Sequence, residues 1–439
     1  EGSYYDLPIS VGILTATNQI TMQKEELSNY AFIGELSLDG SIRQVKGVLP
    51  MLISARMLGI KKVIVPYENI NEACYIDGLE VYGIKNLEDV VLFLNKEKNI
   101  TPAQSVSYSL IKSRTLSVGD FSQIKGQSSA KRALEISAAG GHNVLMIGPP
   151  GSGKTMLARA FPSILPDMTF DEALEVTKIH SIAGTLDSNT GILTERPFRC
   201  PHHTTTTVAL TGGGTKAKPG EISLAHNGVL FLDEMPEYSR NTIEALRQSL
   251  EDGTITVSRN SQTVEYPANF ILIASMNPCP CGNYGSTIKQ CKCSPNQIHN
   301  YLAKLSGPLM DRIDMYIEVD NVSYEDISGE IEEEKSIDIK KRVDNARKIQ
   351  TERFKSSSQK IHSNSKMTTG MIKKYCKLNE ESNQMLQYAF DTLKLTARAY
   401  NRILKVARTI ADLDGCENIL QEHIFEAINY RSLDDKYWI

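Results

Sequence analysis

No apolar run in this 439-residue chain approaches the length needed to cross a bilayer. An initiator Met and a secretory leader are missing too. The sequence begins Glu1-Gly-Ser-Tyr-Tyr5 in mid-pattern and is read as part of a longer protein. Net charge is small, −4, which excludes a diffusely basic nucleic-acid binder. It leaves room for a local basic stripe or a basic pore assembled from several subunits. With no leader, the eight cysteines are expected to stay reduced and the protein to be cytoplasmic. The rest is ordinary: 41% hydrophobic and 23% charged residues suffice for normal cores in two or three domains.

One stretch stands out: Gly148, Pro149, Pro150, Gly151, Ser152, Gly153, Lys154 and Thr155 in succession. An apolar run, Asn143–Ile147, precedes it, and a helix-compatible segment, Lys154–Phe161, follows. That is the strand–loop–helix setting of a phosphate-binding loop. Its glycines let successive backbone N–H groups curl around an anion at the positive end of a helix. Lys154 is placed to reach the β- and γ-phosphates, and the Thr155 hydroxyl to ligate Mg²⁺.

A second buried-strand pattern, Gly228–Leu232, ends abruptly in Asp233-Glu234. Parallel strands buried on both faces read as unbroken apolar runs, and chemistry gathers at their carboxyl ends. Asp233 is the expected Mg²⁺ carboxylate, direct or through water, and Glu234 the base that polarises the attacking water. A third strand, Asn269–Met276, ends in Asn277, placed to orient that water or to sense the γ-phosphate. The reading is an NTPase with an α/β core.

The chain divides into residues 1–100, a Ser-rich linker at 101–117, the NTPase segment 118–325, and a charged helical part, 326–439. Residues 1–100 carry strand-like runs at Val45–Val48, Lys62–Pro66 and Leu79–Tyr82, and a helical stretch at Leu49–Leu58. Helical segments are also expected at Thr369–Leu378 and Glu381–Leu413. Four cysteines cluster as Cys279-Pro-Cys281 and Cys291-Lys-Cys293. Two pairs closing one loop match a tetrahedral thiolate Zn²⁺ site in outline, though each pair is tighter than usual. The alternative is four buried or free thiols. His202 and His203 are adjacent and are read as stabilising a turn, not as metal ligands.

Together these residues resemble an AAA+ ATPase, and more narrowly the ComM/YifB family of the magnesium-chelatase-like branch. The carriers are Ile124-Lys-Gly-Gln127, Arg199–Thr204, Gly220–Gly228, Asn277-Pro-Cys-Pro-Cys-Gly282, Leu305–Asp314 and Leu395–Arg402. The resemblance spans essentially the whole chain. It implies an AAA+ core with a helical lid, ATP rather than GTP, and adenine contacts from Ile124 to Gln127. Arg312 matches the family's arginine finger, delivered in trans, so a ring, a hexamer, is implied. Arg398 matches a second sensor reaching the γ-phosphate in cis. The cysteines occur in some members and not others, which implies a structural metal dispensable to catalysis.

Between Thr155 and Asp233 the chain is far longer than one helix and strand require, resembling the insertion that marks this clade. Glu251–Arg259 and Ser261–Tyr266 are expected to form a β-hairpin. In the clade both elements face the ring pore and move DNA or another polymer. Lys216, Lys218, Arg240 and Arg259 are the candidate phosphate contacts. Residues 1–100 resemble a Lon-protease-like α+β domain whose opening strands are missing. The helix that would carry its catalytic lysine has none. Lys46 precedes that helix, and Ser10 stands near the nucleophile position without a base. A docking or oligomerisation role is expected there.

Three functions compete: a DNA-branch-migration motor, an ATP-driven protein or metal-chelatase-type remodeller, and an ATP-dependent protease. The missing lysine opposes the third. Chelatase motors lack the Lon-like domain, which opposes the second.

Overall fold

The computed structural model describes residues 3–74, 76, 78–104, 119–186, 191–214, 217–259, 262–286, 289–322, 332–357, 361–433 and 437. The chain forms two compact units: residues 1–115 with Met168–Glu195, and residues 116–167 with 196–439. Met168–Glu195, which the sequence reading places within the NTPase segment, thus groups with the amino-terminal residues. Most of the expected linker, residues 105–117, lies outside the described residues.

In the first unit, β1 (Tyr30–Phe32), β4 (Lys62–Pro66) and β5 (Glu80–Ile84) form a parallel sheet, and β2 (Glu35–Leu36) pairs with β3 (Ile42–Arg43). Val45–Val48, expected as a strand, is not one. The Asn69 side chain occupies the Val45 backbone, accepting from its N–H (3.1 Å) and donating to its carbonyl (2.9 Å). A helix, Val48–Met57, starts directly after and contains no lysine. Ser10 lies on the helix Asp6–Ala16, its hydroxyl donating to Asp6 O in its own helix (2.8 Å). The helix Phe170–Ala183, closed by a Thr169/Glu172 capping box, docks in this unit through Ser181, which donates to the buried Glu72 (3.0 Å).

The second unit is built on five parallel strands. They are β6 (Val144–Ile147), β7 (Phe198–Arg199), β10 (Val229–Leu232), β13 (Ile271–Met276) and β14 (Met315–Glu318), in the spatial order β14-β6-β13-β10-β7. The short pair β8 (Gly212–Gly213) and β9 (Lys218–Pro219) and the hairpin β11 (Thr254–Arg259) and β12 (Gln262–Pro267) complete it. Alternate side chains leave the sheet on opposite faces. Val144, Met146, Val229, Phe231, Met315 and Ile317 join one core with the helix Ser128–Gly140 and the lid. Leu145, Ile147, Leu230, Leu232 and Tyr316 join the other, with the helix Arg240–Asp252 and the hairpin. Burial on both faces explains the unbroken apolar runs.

The lid comprises helices Ser336–Phe354, Thr369–Tyr375, Glu380–Thr392, Ala397–Leu413 and Gln421–Asn429. The expected continuous segment 381–413 is broken, because Lys394 takes a left-handed φ of 46° and Thr396 caps a new helix. Among the described residues, no helix is long and apolar enough to cross a membrane.

Candidate active site

The phosphate loop leaves the carboxyl end of β6 and runs into the helix Lys154–Ala160. Gly148 is the fixed point of this turn: a Cβ there would sit 2.1 Å from Val319 O and 3.1 Å from Ser152 Oγ. No other residue fits without moving the backbone that positions the loop. Lys154 is buried, its Nζ donating to Gly148 O (2.7 Å) and Pro149 O (2.8 Å). Asn277 Oδ1, at the end of β13, lies 3.5 Å from the same nitrogen. Gln127, left-handed at φ 58°, reaches from the start of the Ser128–Gly140 helix to Ser152 O (3.2 Å). Ile124 is buried, and its carbonyl accepts from Lys131.

The carboxylates arrive on β10, separated from the phosphate loop by β13 alone. Thr155 Oγ1 donates to Asp233 Oδ2 at 2.9 Å, so the two expected Mg²⁺ ligands already touch. Ser275, inside β13, donates to Asp233 Oδ1 (2.5 Å) and accepts the Glu234 backbone N–H (3.1 Å). One hydroxyl thereby holds the Asp233 carboxylate and the Glu234 backbone. Glu234 is exposed, with a left-handed backbone φ of 50° just beyond the end of β10. Strained backbone of this kind persists where the surroundings over-determine it, often at functional sites. These donors fit a nucleotide's phosphates and Mg²⁺: N–H groups and an ammonium on one side, a hydroxyl–carboxylate pair on the other.

Burial pulls the Lys154 ammonium down to about 8, against the opposing pull of Asp233 and Glu234. A bound polyphosphate favours the charged form, so the complex holds this proton more tightly than the free protein does. Affinity for ATP is therefore expected to be full below the free value of about 8 and to be lost as pH rises through it. The limiting slope is about tenfold per pH unit. Fluorescent-nucleotide titrations from about pH 6.5 to about pH 9.5 read this directly. A flat profile would remove Lys154 as the titrating phosphate cation.

Arg312 lies elsewhere. It precedes β14, whose Met315 pairs in register with Val144, the first residue of β6, so it stands at the amino end of the strands. The phosphate loop is at the other end, about 13 Å away along four residues of strand. Arg312 is buried, with Nη1 donating to Pro308 O (2.5 Å) and Nη2 paired with Glu251 at the end of the Arg240–Asp252 helix. Arg398 joins it, donating to Asp311 Oδ2 at 3.3 Å. The resemblance implies that Arg398 reaches its own chain's phosphates. The structure corrects this, because the helix it begins packs with its start at the amino ends of the strands. Arg312, Arg398, Arg402, Lys366, Asn143 and Glu251 line one basic cavity there, of about 360 Å³.

Asn143 and Asp314, the latter closing the Leu305–Asp314 stretch, hold that end together. The Asn143 side chain donates to Arg312 O (3.0 Å) and accepts from Leu272 N–H (2.9 Å), while its own N–H donates to Asp314 (3.0 Å). Asp314 also pairs with Arg402. Although burial pushes this carboxyl up, Arg402, His142 and the Asn143 N–H hold it far below the usual carboxylate range.

The four clustered cysteines converge. Cys279 Sγ is 3.4 Å from Cys281 Sγ and 3.7 Å from Cys291 Sγ, and all four sulfurs lie within 4.8 Å of one another. Tetrahedral thiolates about 2.3 Å from Zn²⁺ stand about 3.8 Å apart, so the donor set and its spacing fit the ion. Among the described residues this is the one group of at least three possible metal ligands drawn from His, Cys, Asp and Glu. The His202 and His203 rings lie 4.1 Å apart, tilted by 34°, and His202 Nδ1 bonds Thr204 Oγ1 (2.9 Å), as turn-forming residues do. The β11–β12 hairpin forms with Arg259 opposite Gln262. Lys218 and Arg240 are exposed, whereas Lys216 and the Arg259 side chain lie outside the described residues.

Comparison with known proteins matches this geometry. The family described as Magnesium chelatase, subunit ChlI, matches residues 120–327, its C-terminal counterpart residues 333–431, and Subunit ChlI of Mg-chelatase residues 1–69. Competence protein ComM of Haemophilus influenzae is 43% identical over 435 residues, 99% of this chain and 83% of the relative. The Escherichia coli protein YifB is 41% identical over 438 residues, with the same shares. A magnesium-chelatase 67 kDa subunit of Chlorobaculum parvum is 29% identical over 164 residues, covering 36% of this chain and 23% of that subunit. With a phosphate loop, paired acids and a polar strand tip at one end of a parallel sheet, the chain belongs to the ComM/YifB family of magnesium-chelatase-like AAA+ ATPases.

Proposed function

We propose that this chain is one subunit of a cytoplasmic ATP-hydrolysing ring, a hexamer, that moves DNA and promotes branch migration during recombination of incoming DNA. The observation that carries the ring is the placement of Arg312 and Arg398 at the sheet end opposite the chain's own phosphate loop. A cation is needed opposite Lys154 as charge shifts onto the leaving phosphate, and a neighbouring subunit can supply it. In each site Thr155 and Asp233 hold Mg²⁺, Glu234 takes the proton of the attacking water, and Asn277 orients that water.

DNA as the moved polymer is supported by the word competence in one relative's name and by the hairpin and insert. Lys218 and Arg240, with Lys216 and Arg259, would track phosphates without reading sequence. The four cysteines are proposed to hold one structural Zn²⁺. The magnesium-chelatase relative favours the second reading, a remodelling motor.

One assay separates these readings. ATPase activity should rise several-fold with a four-way DNA junction, the effect weakening steeply with salt, and stay flat with unfolded protein. Stimulation by unfolded protein and not by DNA would transfer the assignment to the remodeller.

A further inference from the structure

The loop leaving β13 carries both a residue of the nucleotide site and the first thiol of the cluster. Asn277 Oδ1 stands 3.5 Å from Lys154 Nζ, and Cys279, two residues on, is fully buried. The chain then folds back: Gly282 N–H donates to Cys279 O at 2.9 Å, and Asn283 Nδ2 donates to Cys281 O at 3.1 Å. This turn lays Gly282 against the phosphate loop. A Cβ there would lie 2.5 Å from Pro150 Cδ, and its φ of +77° disfavours any side chain. The cluster and the phosphate loop are thus joined through Asn277 on one side and through the Gly282–Pro150 contact on the other.

Resting on the reading that these thiols hold a metal, we propose that the cluster and the nucleotide site form one coupled unit, each ligand tightening the binding of the other. Metal on Cys279, Cys281, Cys291 and Cys293 pins the loop at both ends and removes conformational freedom between them. The wall that this loop offers to Pro150 is then ordered before nucleotide arrives. A phosphate loop with an ordered wall loses less freedom when it closes on a polyphosphate. Linkage makes the effect mutual: the factor by which metal raises nucleotide affinity is the factor by which nucleotide raises metal affinity. The metal is then not dispensable to the ATP site, contrary to what the resemblance implies.

The test uses the full chain, purified reduced and without chelator, with its metal counted by elemental analysis. About one Zn²⁺ per chain is expected. Zinc affinity is then measured by competition against a zinc-selective pyridyl chelator in excess Mg²⁺, with and without ADP. ADP should raise zinc affinity about fivefold or more, and the metal-stripped protein should bind ADP, read by displacement of a fluorescent nucleotide, more weakly by the same factor. Lys154→Ala should keep its metal and lose the ADP effect. Gly282→Ala should keep its metal and bind nucleotide poorly; the wild-type comparison decides the matter if that variant misfolds. Zinc affinity unchanged by ADP, with equal nucleotide affinity in loaded and stripped protein, would overturn the coupling and leave the metal in place. A protein free of metal would overturn both.

Discussion

ATP turnover by Glu234→Gln is expected to fall by about 10²–10⁴-fold while nucleotide binding is retained. The side chain is exposed at the tip of β10, and its backbone N–H is fixed by Ser275 Oγ at 3.1 Å, so the fold does not depend on its charge. Binding should hold or tighten slightly, because one of the two carboxylates acting on Lys154 is neutralised beside the phosphates. Lys154→Ala should show the opposite split, losing affinity before chemistry can be measured. Single-turnover hydrolysis alongside equilibrium nucleotide titration separates the two effects. Near-normal turnover in Glu234→Gln would reassign the base.

Arg312→Ala should lose about 10³–10⁵ in turnover with ATP affinity unchanged. The guanidinium is remote from the phosphate loop of its own chain, so in the proposed ring the loss is expected at the neighbour's site. Its partner Glu251 is more than half exposed, and freeing it leaves no buried charge behind. The variant should therefore fold. Mixed with excess Lys154→Ala subunits, whose phosphate loops are dead but whose Arg312 is intact, it should recover activity. Arg398→Ala should behave the same way in the mixture, since it shares the cavity of Arg312. If mixed rings form and no activity returns, catalysis is not shared between subunits.

The phosphate loop, Asp233-Glu234 and Asn277 were legible because each is a short contiguous stretch at the end of a strand. A buried parallel strand writes itself as an apolar run, so the polar residue that ends it marks the sheet's working edge. Ser275 was not legible. It is a small polar residue inside an apolar run, and only the neighbouring β10 reveals that it serves both acids. Glu251 was equally hidden, as one acid at the end of an amphipathic helix with no local sign of Arg312 opposite.

By itself, then, the sequence determined three of the five core strands, the polar residues that end them at the sheet's carboxyl edge, and the family. Those properties follow from contiguous residues and from the period of burial. Only the tertiary structure decided which end of the sheet receives Arg398, which unit takes Met168–Glu195, and that the cysteine loop rests on Pro150. Each is a packing choice among segments far apart in the chain. Such choices are set by which apolar faces bury one another and which polar groups are thereby satisfied, and no local stretch of sequence encodes that sum.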